Sequence, residues 1–189
     1  MFSVGCRNGM NFIVRKAGLD DKPAIARLIE MSARELSRQE YSDEQIEAAI
    51  ANIFGVDSDL IYDETYFVAE VSGVLVGCGG WSKRRTLFGG DQFAKRESTE
   101  LDPDCEAARI RAFFVHPKWA RKGIGRAILE RCEAEAQASG FQSLELMATL
   151  PGLDFYRSLG YAGNERVTYH LDGRVSIDFV PMKKNLQGS

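Results

Sequence analysis

Gly123 and Gly125 stand two residues apart in a basic setting, with Arg121, Lys122 and Arg126 around them. The stretch from Arg109 to Arg126 reads RIRAFFVHPKWARKGIGR. It holds a strand-like run from Ile110 to Val115, a turn marked by His116-Pro117, the glycine pair and then a helical pattern. A strand that feeds a glycine turn at the start of a helix gathers backbone N–H groups into an anion cradle. Lacking a Cβ, both glycines let phosphate oxygens reach first-turn amides that have no partner inside the helix. The helix dipole adds roughly 0.3–1 kcal/mol for a negative group at that end. The plainer alternative is a helix that merely begins with two glycines, although glycine costs about 1 kcal/mol relative to alanine within a helix.

Two familiar phosphate motifs do not fit. A P-loop ends in Gly-Lys-Ser or Gly-Lys-Thr, whereas here Lys122 precedes Gly123. The dinucleotide fingerprint needs a third glycine three residues after the second, and that position is Ile128. What remains is a Gly-x-Gly helix start flanked by cations, suited to a pyrophosphate.

The elements that must position this cradle can be read from periodicity. Asn11 to Lys16 alternates like a first strand. Asp20 is placed to cap a helix with Pro23 in its first turn and Ile25, Leu28, Ile29 and Leu36 on one face. Ser42 and Gln45 make a capping box for a second helix, which Gly55 is placed to stop. Thr65 to Val71 and Val74 to Trp81 form a hairpin about Ser72-Gly73. Its second strand carries Cys78-Gly79-Gly80-Trp81, which reads as a bulge or a close approach by a ligand and equally as a simple strand end. Ser82 to Ala107 is polar and reads as a long functional or disordered loop, with Lys83-Arg84-Arg85 more in keeping with a solvated basic turn than with an anion site.

A strand ending at Val115, a helix from Gly123 to Ala138 and a strand from Ser143 to Ala148 come next, the last parallel to the first. Leu153 to Leu159 is a short helix closed by Gly160. Val167 to Leu171 and Val175 to Met182 make a last hairpin about Asp172-Gly173. The order β-α-α-β-β-β-α-β-α-β-β gives one mixed α/β domain over residues 11–184, with 1–10 as a loose extension and 185–189 as a tail.

Composition narrows the function classes. The chain has 189 residues, 44% apolar and 27% charged, enough for one core without a metal or disulfide staple. A net charge of −3 carries no nucleic-acid footprint. Cys6, Cys78, Cys105 and Cys132 are scattered and only two histidines accompany them, so neither a zinc site nor a disulfide framework is implied. No apolar run reaches bilayer length and residues 1–10 lack a signal-peptide core. A cytoplasmic chain with reduced thiols, no metal and no membrane partner is expected.

The motifs together resemble the GNAT superfamily of acyl-CoA-dependent N-acyltransferases. The matching residues are Val115-His116-Pro117, the Ala120-to-Gly125 segment, and Phe155-Tyr156-Arg157-Ser158-Leu159-Gly160-Tyr161. The order and spacing fit from about Asn11 to Lys184. One departure is Ala120, where the family usually has Gln or Arg.

The resemblance implies a central mixed, mostly antiparallel sheet whose middle strands splay apart, flanked by helices. It implies acetyl-CoA as acyl donor, with Phe113, Phe114 and Val115 along the pantetheine arm. Arg121, Lys122, Gly123, Ile124, Gly125 and Arg126 would lie around the pyrophosphate, and Thr149 would be a cofactor or water contact. Tyr156 matches the family's general acid; a tyrosine stays neutral and able to donate at pH 7 because its unperturbed pKa is near 10. Glu145 aligns with a carboxylate that some members use as base, with a merely solvated glutamate as the alternative. His116 and His170 read as ordinary residues.

The acceptor is expected to be a primary amine of a small molecule or peptide, and a homodimer through edge strands is consistent with the family. Two rivals remain open: a non-catalytic acyl-CoA sensor, which would have no need of Tyr156, and transfer of another acyl group. For the latter, Cys78 to Trp81 and the 82–107 loop would build the pocket.

Overall fold

The computed structural model describes residues 3–7, 10–93, 95–171 and 174–186. Among them, eight strands form one mixed sheet: β1 (Ser3–Arg7), β2 (Met10–Lys16), β3 (Tyr66–Val71), β4 (Val74–Ser82), β5 (Ala108–Val115), β6 (Ser143–Thr149), β7 (Val167–His170) and β8 (Ser176–Asn185). Their spatial order is β1-β2-β3-β4-β5-β6-β8-β7. Every neighbouring pair is antiparallel except β5–β6. The helices are α1 (Lys22–Leu36), α2 (Asp43–Asn52), α3 (Ser58–Tyr62), α4 (Ile124–Ala138) and α5 (Leu153–Arg157).

Strand alternation sorts the core onto two faces of the sheet. Phe67 and Ala69 of β3 join Ile124, Ile128, Leu129 and Cys132 of α4 in one buried cluster. Tyr66 and Val68, one residue out of phase, join Ile25, Leu28 and Ile29 of α1 in another. A third cluster lies between α2 and β8, through Ile46, Ala49, Ile177 and Phe179. The sheet is thus sandwiched by α4 on one side and by α1 and α2 on the other.

The fold departs from the sequence reading in several places. Residues 3–7 are not a loose extension: β1 pairs with β2 from Ser3↔Val14 to Arg7↔Met10. An open edge of β2 presents unpaired N–H and C=O groups, and that demand is invisible in the weak pattern of Ser-Val-Gly-Cys-Arg. At the other end β8 continues to Asn185, beyond residue 184, because β6 pairs with it along its full length. The expected turn at Asp172-Gly173 lies outside the described residues.

Asp21 rather than Asp20 secures the entry to α1: its carboxylate accepts the Gly18 N–H at 2.8 Å and both terminal nitrogens of Arg15. The 82–107 segment is not structureless either. Its two legs run side by side through Thr86 N–H to Glu97 O at 3.0 Å and Leu101 N–H to Lys83 O at 2.7 Å. The basic triplet is consumed internally, by Lys83–Glu100, Arg84–Asp63 and Arg85–Glu106 pairs. The capping box of α2 forms as expected, with Gln45 N–H to Ser42 Oγ at 3.2 Å and Ser42 N–H to Gln45 Oε1 at 3.0 Å.

Candidate active site

β5 and β6 pair only at Ala108↔Leu144 and Arg109↔Glu145. Beyond these pairs, among the described residues, the facing edges of 110–115 and 146–149 have no strand partner. A bulge accompanies the divergence. Cys78 faces Phe114 but Gly80 faces Arg111, so β5 carries one residue more than β4 over the same span. Ala112 within the bulge takes the left-handed conformation, φ 54°, uncommon for a residue with a Cβ. Its carbonyl accepts a long hydrogen bond from the buried Tyr66 hydroxyl at 3.4 Å. A cavity of about 660 Å³ lies along the gap, lined from α1 to the glycine turn and α5.

The glycine turn forms one end of this cavity. Gly123 is the N-terminal cap of α4 at φ 87°, and Arg121 is also left-handed at φ 60°. The Ala127 N–H reaches back to Gly123 O at 3.0 Å, so the amides of Ile124, Gly125 and Arg126 precede the first α-helical hydrogen bond. The Ile124 side chain is fully buried against β4, where a Cβ on Gly77 would come within 2.6 Å of its Cγ2. Ile124 therefore anchors the helix from below and can offer a ligand only its backbone. Among the described residues Arg121 and Arg126 have no carboxylate partner, unlike the triplet 83–85, and Lys122 lies over the Trp119 ring at 4.7 Å.

Gly125 has a second role: a Cβ there would press on the Phe155 ring at 3.2 Å, so its absence lets α5 dock against the start of α4. Gly123→Ala should raise the dissociation constant for CoA about 5–30-fold by calorimetry with the circular dichroism spectrum retained. The reason is that left-handed alanine costs about 1–2 kcal/mol, which the relaxed free loop must regain on binding.

Tyr156 lies on α5 and lines the cavity. Its ring is buried between Phe155 at 5.0 Å, Tyr161 at 5.7 Å and Phe113 of β5 at 6.5 Å, all edge-on. Burial pushes its pKa well above the usual tyrosine value, so the hydroxyl is a neutral donor at physiological pH. Among the described residues it has no hydrogen-bond partner. Packing with Phe113 places it beside β5, the strand that leads into the glycine turn.

The other expected site residues divide. Phe113, Phe114, Val115, Arg121, Gly123, Gly125, Arg126 and Thr149 line the cavity with Tyr156, while Lys122 and Ile124 do not. Glu145 does not either: its carboxylate is ion-paired with Arg109 directly across the closed end of the β5–β6 gap. Alternation puts Glu145 opposite Leu144 and Leu146 as read, but it faces Arg109 outside the cavity lining, so the cavity geometry gives no support to a base role for it. Cys78 to Trp81 is no ligand wall. A Cβ on Gly79 would meet the Phe113 ring at 2.6 Å and one on Gly80 the Thr65 carbonyl at 2.8 Å, so these glycines are needed for protein packing. His116 Nδ1 accepts the Lys118 N–H at 3.1 Å and His170 pairs with Ser176 Oγ at 2.7 Å, both local contacts.

Two features escaped the sequence reading. Tyr41, buried between α1 and α2, donates to Asp178 O at 2.6 Å and accepts the Leu150 N–H at 2.8 Å. It fixes the turn that leads from β6 into α5, and burial raises its pKa to about 12, so it stays protonated. The second is a buried ionic node. Asp57 pairs with Arg111 of β5 at 2.5 Å and with Arg96 at 2.6 Å, and Arg96 also holds Asp59 at 2.6 Å. Arg96 and Arg111 both donate to the Gly89 carbonyl, tying residues 87–90 to the cavity as its wall. A charged Arg111 inside the otherwise apolar run from Ile110 to Val115 was the one available signal.

This architecture, a mixed sheet splayed at a parallel pair with a glycine-capped helix beneath, is that of the GNAT fold. A model of the acetyltransferase (GNAT) family matches residues 25–161, and the chain belongs to that family and is an acyltransferase. In sequence it is 28% identical over 153 residues to an IAA acetyltransferase of Azospirillum brasilense, covering 79% of this chain and 83% of that one.

In structure it resembles a GCN5-related N-acetyltransferase from Rhodopseudomonas palustris with TM-score 0.67 and 20% identity, over 98% of this chain and 99% of that one. It also resembles the PaiA N-acetyltransferase of Thermoplasma acidophilum in complex with coenzyme A, with TM-score 0.63 and 18% identity over 93% and 99%. A third is YncA of Salmonella typhimurium with acetyl-CoA, at TM-score 0.61 and 19% identity over 95% and 96%. Among the described residues no helix is long and apolar enough to cross a membrane.

Proposed function

We propose that the protein transfers an acetyl group from acetyl-CoA to a primary amine by direct attack in a ternary complex, in the cytoplasm. The observation that carries this reading is one continuous cavity linking the left-handed glycine turn, the unpaired edges of β5 and β6, and Tyr156. An extended pantetheine arm, with its amides, is the kind of ligand that satisfies unpaired strand edges, as an added strand would. Phe113, Phe114 and Val115 offer it backbone groups, Thr149 a hydroxyl, and the cradle with Arg121 and Arg126 the pyrophosphate site. Ala120 offers no side-chain donor, so the backbone amides dominate there.

In the reaction the neutral amine attacks the thioester carbonyl, the C–N bond forms and the C–S bond breaks. Tyr156 delivers its proton to the departing sulfur, and the amine nitrogen gives up its extra proton. Among the described residues Asp154 is the sole carboxylate lining the cavity, its side chain 99% exposed on α5, and no histidine lines it. Water therefore takes that proton.

An acetyl-CoA thiol-release assay over an amine panel tests the reading: amine-dependent CoA release with formation of the N-acetyl product is expected. CoA binding without transfer to any amine would favour a sensor instead.

A further inference from the structure

The acceptor end of the cavity lies between α1, the end of α2 and residues 87–90, away from the glycine turn. Its walls are aromatic. Phe54 and Phe114 meet edge-on at 5.6 Å, both only partly buried. Phe88, also partly buried, packs on Phe93 at 5.0 Å, Tyr169 at 5.1 Å and Phe179 at 5.5 Å. The Asp57 node holds the Phe88 segment in place through the Gly89 carbonyl.

Charge points the same way. Among the described residues lining this end there is no carboxylate, and Arg111, already paired with Asp57, is its sole charged residue. Beyond it, the polar side chains here are the nearly buried hydroxyls of Ser32 and Ser37. An ammonium-rich acceptor would lose its water here and gain no counter-charge, a cost of several kcal/mol per ion. A flat apolar body would gain ring-edge contacts of about 0.5–1.5 kcal/mol per pair beyond its buried area.

We propose that the acceptor is a primary amine with an aromatic body and a single amino group, and that Phe88 is the residue that sets this preference. The proposal rests on the transferase reading above. It adds the substrate class: arylalkylamines enter and polyamines or aminoglycosides do not. Ser32 and Ser37 are the hydroxyls that line this end of the cavity.

The test uses the whole protein, first titrated with CoA, and then 2-phenylethylamine or spermidine added to the CoA complex, with acetyl-CoA kinetics in parallel. The expected result is that phenylethylamine binds and is acetylated while spermidine is not. Phe88→Ala should raise the phenylethylamine KM about tenfold or more, equivalent to about 1.4 kcal/mol, and leave the acetyl-CoA KM unchanged. Phe88→Leu, which keeps most of the volume, should move the same constant in the same direction by less, and serves if the alanine variant does not fold.

Higher kcat/KM for spermidine, no phenylethylamine binding to the CoA complex, or an unchanged phenylethylamine KM in the folded Phe88 variant would overturn the proposal. Failure at the CoA titration would instead overturn the transferase reading beneath it.

Discussion

Replacing Tyr156 by phenylalanine is expected to lower acetyl transfer about 10²–10⁴-fold while acetyl-CoA affinity stays as it was. The phenyl ring preserves the edge contacts with Phe155, Tyr161 and Phe113, so the change removes little besides the hydroxyl. That hydroxyl has no hydrogen-bond partner among the described residues, so its loss leaves no orphaned donor or acceptor in the protein. A thiol-release assay at saturating amine, beside a calorimetric acetyl-CoA titration, separates the two effects. Unchanged turnover would reduce Tyr156 to a packing residue.

Asp57→Ala is expected to cost about 3–5 kcal/mol of stability in chemical denaturation. The Asp57 side chain is fully buried and the Arg111 side chain is 1% exposed, so the substitution leaves a guanidinium in the interior without its counter-charge. Burial already pulls the Arg111 pKa below its ordinary value, and Asp57 opposes that pull. Arg96 keeps Asp59 and the Gly89 and Gly90 carbonyls, which tempers the loss. Asp57→Asn, which keeps a side-chain oxygen for hydrogen bonding, should cost less. A loss of under about 1 kcal/mol for the alanine variant, the size of an exposed pair, would show that the node is not a buried ion pair in solution.

Much of the donor half of the site was legible because its determinants are local. A Gly-x-Gly helix start at 123, a helical period through Leu129 and Cys132, and a strand ending in Val115 all declare themselves within about twenty residues. The capping box at Ser42 and Gln45 belongs to the same class. What could not be read depends on partners distant in the chain. Glu145 has the right alternation but lies off the cavity beside Arg109, a neighbour that only the parallel β5–β6 pair supplies. The glycines at 79 and 80 left a bulge, a ligand and a strand end open; the bulge is present, and both stay small because Phe113 and the Thr65 carbonyl press on them. α3, with five residues, is too short for a hydrophobic period to mark it. Arg111 and Phe88 reach the cavity, and Tyr41 the turn beside it, only through contacts that close loops of many residues, which is why this end of the cavity stayed silent in the sequence.

On the reading proposed above, the gap between β5 and β6, with the Gly123 turn at its end, is an acetyl-CoA site. Isothermal calorimetry of the protein with acetyl-CoA tests it most directly. Saturable binding of one acetyl-CoA per chain is expected, competed by CoA and weakened in Gly123→Ala. A titration of folded protein that shows no binding would contradict it.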